Sequence, residues 1–373
     1  MIWKFSIIIF GFISCGQIEK AYCQNPGERH IFPSYSFKTH AGYIIPHNDL
    51  LKEVSKSVPF GFQADISWLN MSPKAWKQTN CFARTGFSLQ HFQFNNPKEL
   101  GSSSQLIGFL EPFLLRKNFF QWSFRFGLGA TYLSKVHDEV SNPRNQFFSS
   151  PISFVVMAAT SAKFVIHPNW RASLSAYYNH ISNGGIKMPN KGMNFPTMAI
   201  GLDYLPFQEI FPVPPKPESG PFPWNMYLEL GTSLKNTPED WANFKGTFPV
   251  INVAGLLEKK ISNVHAFSLG LEFTEDQYLR QYFLFKNQDF AHQLIGGLFG
   301  HAFHLGRFRI SQQYGIYLFN QDPGKRFAYQ RYGIHYELFK RISIGGTLKA
   351  HRHVADIFDF RLAYKMGSKK TGT

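Results

Sequence analysis

The stretch QWSFRFGLGATYL, residues 121–133, alternates without a break. Trp122, Phe124, Phe126, Leu128, Ala130 and Tyr132 fall on one side, and Gln121, Ser123, Arg125, Gly127, Gly129 and Thr131 on the other. A period of two marks an extended strand whose side chains point alternately to opposite faces of a sheet. NMYLELGTSLK repeats the pattern, with Met226, Leu228, Leu230 and Leu234 against Asn225, Glu229, Ser233 and Lys235. RISIGGTLKAH sets Ile342, Ile344, Leu348 and Ala350 against Arg341, Ser343, Thr347, Lys349 and His351. DIFDFRLAYKM sets Phe358, Phe360, Leu362, Tyr364 and Met366 against Asp359, Arg361 and Lys365.

A soluble sandwich would show the same alternation with its apolar faces turned inward. Three features favour a membrane barrel instead. The apolar runs last about ten residues, the length a tilted strand needs to cross a bilayer. The opposite face carries Arg, Lys, Glu and Gly, as a wet lumen would. Trp, Tyr and Phe gather near strand ends, where an interfacial girdle belongs. Backbone groups in lipid must pair within the protein, so the sheet has to close on itself. The expected fold is all-β, an antiparallel transmembrane β-barrel of about 14–16 strands.

Composition agrees. Of 373 residues, 17% are aromatic, with 40 Phe and 16 Tyr, and only 17% are charged, below the quarter usual in soluble domains. The net charge of +15 points to an anionic partner, and with no nucleic-acid motif in an exported chain, phosphorylated lipid fits better than nucleic acid.

The chain divides into four parts. Residues 1–23 read as a signal peptide: Lys4, an apolar stretch from Phe5 to Ile13, then small or weakly polar residues to Cys23. Cleavage after Cys23 leaves Gln24 first; lipoprotein processing at Cys15 is the alternative, although Phe12-Ile13-Ser14 matches a lipobox poorly. Residues 24–207 and 225–373 are strand-rich, and 208–224 form a proline-rich connection that cannot be a central strand. The pattern does not decide between one large barrel and two smaller ones; a single barrel made from both halves is expected, because no second targeting signal or long polar linker separates them. Cys81 is the one cysteine beyond Cys23, so no internal disulfide framework is available. It has no neighbouring base in sequence and reads as a buried or lipid-facing thiol.

One segment departs from the strand pattern. NHISNGGIKMPNKGMNF, residues 179–195, places polar groups around two short turns. The apolar row Ala172, Leu174, Ala176 and Tyr178 continues by twos to His180 and Ser182. On the next strand the row Pro196, Met198, Ile200, Leu202 and Tyr204 runs back to Asn194. All three polar side chains should therefore lie on the lipid-facing wall near the rim, where they are costly unless hydrogen-bonded to one another. They suit acyl transfer: Ser182 attacks an ester carbonyl, His180 takes its proton, and Asn194 orients the imidazole. Asn183 and the backbone N–H groups near Gly184 and Gly185 would supply an oxyanion hole. A plain Asn-Gly hairpin turn accounts for the same residues, and the residues alone leave both readings open.

The run His180-Ile181-Ser182-Asn183-Gly184-Gly185-Ile186-Lys187, followed by Pro189-Asn190 and Gly192, resembles the His-x-Ser-Asn motif of the lipid A 3-O-deacylase (PagL) family, outer-membrane barrel esterases. Gly127-Leu128-Gly129 and the Asn142 to Asn145 region are similar to the strand and loop before that motif, especially in the longer bacterial acyloxyacyl hydrolases. The resemblance covers roughly residues 40 to 207. It implies His180 as general base and Ser182 as nucleophile, removal of acyl chains from lipid A/lipopolysaccharide or another acylated glycolipid, and a place in the outer membrane. Asn194 departs from the glutamate that the best-known members carry, and so brings no charge to the imidazolium.

No cofactor and no metal is expected, nor a nucleic-acid partner, and oligomeric state is left open. His351 and His353 stand two apart before the last strand without a third ligand, and read as rim histidines on the lumen side. Two rivals remain: a non-enzymatic barrel, such as a channel or scaffold with the motif as a structural hairpin, and a secreted soluble β-sandwich.

Overall fold

The computed structural model describes residues 30–213, 222–237, 239–324, 327–351 and 354–369. The signal segment 1–23, His353 and residues 214–221 of the proline-rich connection lie outside these described residues. Sixteen antiparallel strands follow one another up and down. The first eight are β1 (Ile31–Gly42), β2 (Phe60–Asn70), β3 (Ala83–Gln93), β4 (Ser102–Arg116), β5 (Phe120–Leu133), β6 (Ile152–His167), β7 (Trp170–Ser182) and β8 (Met193–Tyr204). The second eight are β9 (Trp224–Asn236), β10 (Thr247–Lys260), β11 (His265–Asp276), β12 (Gln293–Leu305), β13 (Phe308–Phe319), β14 (Ala328–Phe339), β15 (Ile342–His351) and β16 (Val354–Lys369). Helix α1 (Pro73–Thr79) joins β2 to β3, and α2 (Gln277–Phe285) joins β11 to β12.

These strands make two closed barrels, β1 to β8 and β9 to β16, where the sequence led us to expect one. The first closes when β8 returns to β1, with Tyr35 opposite Tyr204 and Gly42 opposite Thr197. The second closes when β16 pairs with β9. Once β1 and β8 have satisfied each other, neither offers an edge to β9. An alternating pattern says which face of a strand is apolar but not which strand it pairs with, so closure after eight strands leaves no trace in it.

The apolar rows face outward in both barrels. Phe37, Leu106, Met198 and Ile200 on the first, and Leu228, Leu269, Phe360 and Leu362 on the second, are among the exposed large side chains. Water would not tolerate so continuous an apolar belt, whereas lipid matches it.

The inward rows differ from a wet lumen. Eight strands leave an interior that side chains can fill, and here they do. In the first barrel Arg125 donates to Asp65 at 2.7 Å and to Glu111 at 2.7 Å, and Lys163 reaches Glu111 at 2.8 Å. In the second, Glu229 accepts from Arg309 and Arg331, while Glu272 accepts from Lys349 at 2.6 Å and Arg361 at 2.9 Å. Charges this deep persist only when paired.

Nearer the loop end of the first barrel the interior becomes apolar. Loop residues Leu51, Val54, Phe147 and Phe148 fold in over Phe92, Ile107, Val155, Ile181 and Phe195. The opposite mouth is stopped by the start of the connection. The buried Glu209 carboxylate pairs with Arg84 and, at 3.3 Å, with Arg171, and Phe211 lies against Phe82 and Phe113.

The barrels touch along one side. Phe154 of β6 meets Phe358 of β16 with ring centroids 4.5 Å apart, Asn236 N–H donates to Ile186 O at 3.3 Å, and at the other end Asn263 Nδ2 donates to Lys77 O at 3.0 Å.

Candidate functional site

Strands β7 and β8 bring the polar trio to the loop end of the first barrel, on the outer wall. Leu174 and Tyr178 precede His180 on the outward row of β7, and Met198 and Ile200 continue the row of β8 from Asn194. His180 and Asn194 are direct cross-strand partners, which puts their side chains in the closest lateral position a sheet offers. His180 Nδ1 lies 2.7 Å from Asn194 Oδ1. A carbonyl oxygen can only accept, so Nδ1 carries the proton and Nε2 keeps its lone pair.

Behind this pair the strands are stiff. Ile181 and Phe195 point inward into the apolar plug and are fully buried, and Asn179 Nδ2 holds the Phe195 carbonyl at 3.1 Å. The imidazole thus sits on a backbone that is packed from behind and paired on both sides.

Gly192 roofs the ring. Its φ is +70°, and a Cβ there would lie 2.8 Å from His180 Cε1. Gly192→Ala is therefore expected to destabilise the barrel by about 1–2 kcal/mol from the left-handed backbone alone. The added methyl should also push the imidazole off Asn194. Equilibrium unfolding in detergent measures the first effect, and the His180 ring resonances in NMR report the second.

Ser182 belongs to a separate hydrogen-bond network. Its Oγ receives Asn190 Nδ2 at 3.0 Å and the Gly184 N–H at 3.2 Å, with Asn190 Oδ1 3.4 Å away. No hydrogen bond joins it to His180. The two side chains are neighbours on one row, with their Cβ atoms about 7 Å apart on strand geometry.

The residues expected to form an anion hole are all engaged within the turn. Asn183 N–H donates to Asn190 Oδ1 at 3.1 Å, Gly184 N–H to Ser182 Oγ, and Gly185 N–H to Asn183 Oδ1 at 3.0 Å. The Asn183 side chain is buried and donates to Lys187 O at 2.7 Å, so it braces the loop. The loop's glycines adopt φ of +69° at Gly184 and +85° at Gly185, a conformation that other residues rarely take.

Asn190 is the functional candidate that sequence reasoning did not assign a role. One amide holds both the serine oxygen and the next backbone N–H. The signal was present in the Pro189-Asn190 pair inside a turn, but which way an amide points is set by the fold. Loop contacts reinforce the arrangement: His47 Nε2 lies 2.8 Å from Lys191 O, and Ile45 N–H donates to Asn194 O at 2.8 Å.

Elsewhere the chemistry is thinner. His351 Nε2 bonds the Tyr317 hydroxyl at 3.2 Å and its Nδ1 lies 3.7 Å from Asp356. Among the described residues no group of three metal-ligating side chains stands together. Burial pushes the Cys81 thiol up, away from the thiolate that a nucleophile needs.

Residues 62–203 match the family described as lipid A 3-O-deacylase (PagL), and residues 222–369 match the family described as acyloxyacyl hydrolase, C-terminal domain. No curated protein matches the chain at a significant level. Among solved structures, the outer membrane enzyme PagL is 14% identical, over 44% of this chain and 97% of its own, with a TM-score of 0.32. Neisserial surface protein A (NspA) is 12% identical, over 47% of this chain and 99% of its own, also with a TM-score of 0.32. At these scores neither adds to the architecture that the strand pairing already defines.

Proposed function

Since the chain belongs to the lipid A 3-O-deacylase (PagL) family, we propose that it is an outer-membrane serine esterase that removes ester-linked acyl chains from lipid A. Ser182 is the nucleophile, His180 the base, and Asn194 the residue that orients the base. The single observation that carries this reading is the cross-strand His180–Asn194 pair, with Ser182 two residues along the same outward row, at the loop end of a lipid-facing wall.

An ester of a membrane lipid reaches that wall laterally, with its headgroup at the rim and its chains against the apolar belt. Ser182 turns about χ1 from Asn190 towards His180, a change between staggered rotamers. His180 Nε2 takes the hydroxyl proton as Oγ bonds to the ester carbon. The carbonyl electron pair moves onto its oxygen. Donors that now point at Ser182 Oγ, Asn190 Nδ2 and Gly184 N–H, lie within reach of that oxygen, because it is attached to the carbon that Oγ has just bonded. The imidazolium returns its proton to the leaving sugar oxygen, and the acyl-serine forms. Water then repeats the cycle with the same base, releasing the fatty acid and restoring serine.

Asn194 accepts from Nδ1–H and so fixes the tautomer, but it contributes no charge to the imidazolium. Asn194→Glu is expected to raise kcat about tenfold or more, since a carboxylate at this position stabilises the charged ring as it forms. Steady-state release of fatty acid by the two proteins measures it.

The channel alternative would need an open lumen, whereas the inward rows of both barrels are lined with buried side chains, among them the ion pairs of Arg125 and Glu229. The proposal is tested by mass spectrometry of lipid A from cells with and without the protein. Loss of one hydroxyacyl mass supports it, and an unchanged lipid A refutes it.

A further inference from the structure

The second barrel has no role in the reaction just described, yet it stands against the site. Ser182 is the register partner of Phe154 on β6, and the Phe154 ring meets Phe358 at 4.5 Å and Phe360 at 6.3 Å between centroids. Gly184, which donates to the serine oxygen, lies flat against Phe358, where a Cβ would come within 2.8 Å of that residue's own Cβ. Ser182 is only 8% exposed.

Contacts at the loop end hold the seam: Asn236 N–H donates to Ile186 O at 3.3 Å, and Gly185 lies so close that a Cβ there would come within 3.3 Å of Asp356 O. Away from the rim both walls become apolar and open. On the first barrel Val156 and Tyr178 follow Phe154 and His180 on the outward rows, both about half exposed. On the second, Phe360 is 61% exposed.

From this placement we propose that the outer face of β16 is the second wall of the acyl-chain groove. Phe360 contacts the chain of the ester held at Ser182, so the site is shared between two barrels of one polypeptide. The proposal rests on the esterase reading above. An acyl chain is the fitting occupant because both walls are apolar, and because the outward rows of β6, β7 and β16 lead from the serine toward the middle of the wall. In a bilayer the gain is shape rather than escape from water: aromatic rings in contact with a chain supply many small dispersion contacts that loose lipid does not. Selectivity for chain length follows from where that wall begins and ends.

Two measurements on the full-length protein in detergent test this. In the first, esters of glucosamine bearing 6-carbon and 14-carbon chains (probe lengths chosen on the order of short and full groove occupancy) compete in one micelle. Phe360→Ala is expected to lower the ratio of long-chain to short-chain kcat/KM about tenfold. In the second, a long-chain ester with a diazirine on its tail is photolysed with the Ser182→Ala protein, which needs no turnover. Adducts on the peptide containing Phe358 and Phe360 are expected. An unmoved ratio in an active Phe360→Ala protein, or adducts confined to the first barrel, overturns the shared groove and leaves the esterase reading standing. Acid release by Ser182→Ala overturns the esterase reading itself, and this proposal with it.

Discussion

Ser182→Ala is expected to lower fatty-acid release from purified lipopolysaccharide by at least about 10³-fold, and by up to about 10⁶-fold if the dyad works as a unit. The substitution removes one oxygen from a side chain that is packed on the outer wall and takes part in no core contact. The oxygen accepts from Asn190 Nδ2 and Gly184 N–H, and both donors lose that acceptor in the variant. The stability cost should come to about 1–3 kcal/mol, the range for largely buried donors that lose their acceptor. A folded barrel without activity is the expected pair of results, with folding read from heat-modifiable migration and activity from released hydroxy acid. Undiminished release would remove Ser182 from the reaction.

A second large effect is expected far from the chemistry. Glu229, on the inward row of β9, is fully buried and faces Arg309, Arg331 and Arg361. Glu229→Ala leaves three buried guanidinium groups with one carboxylate fewer. Removing one partner of such a buried set costs about 3–5 kcal/mol, a large part of the stability of an ordinary domain. Urea titration of the protein in detergent micelles should show the second barrel opening at lower denaturant. Glu229→Gln keeps an acceptor oxygen and should recover part of the loss. Equal midpoints for the wild type and the alanine variant would mean that the cluster is hydrated after all.

Much of this was legible because a strand has a period of two. Once Trp122, Phe124 and Phe126 were assigned to lipid, counting by twos along RASLSAYYNHIS was enough to carry His180 and Ser182 to the same face, and Asn194 followed from the next strand. The cross-strand contact between His180 and Asn194 needed only the hairpin register. What the pattern could not hold was pairing at a distance. That β8 returns to β1 instead of passing its edge to β9 depends on curvature summed over eight strands, and no local run records it.

The lumen was misjudged for a related reason. Arg125, Glu111 and Lys163 look like residues bathed in water until their partners from other strands are known. The apolar plug under the site comes from Phe147 and Phe148 in a loop that alternation does not describe. Asn190 was visible as a turn residue, but its double duty became apparent only when the turn was folded back over Ser182.

The anchoring of Glu209 in the mouth of the first barrel bears on how the two halves find each other. Fourteen residues, 210–223, lie between that anchor and Trp224, the first residue of β9, a tether that spans at most about 50 Å when fully stretched. A leash of this size keeps the neighbour at an effective concentration on the order of millimolar. Weak docking between the walls beside Phe358 is then enough to keep them together.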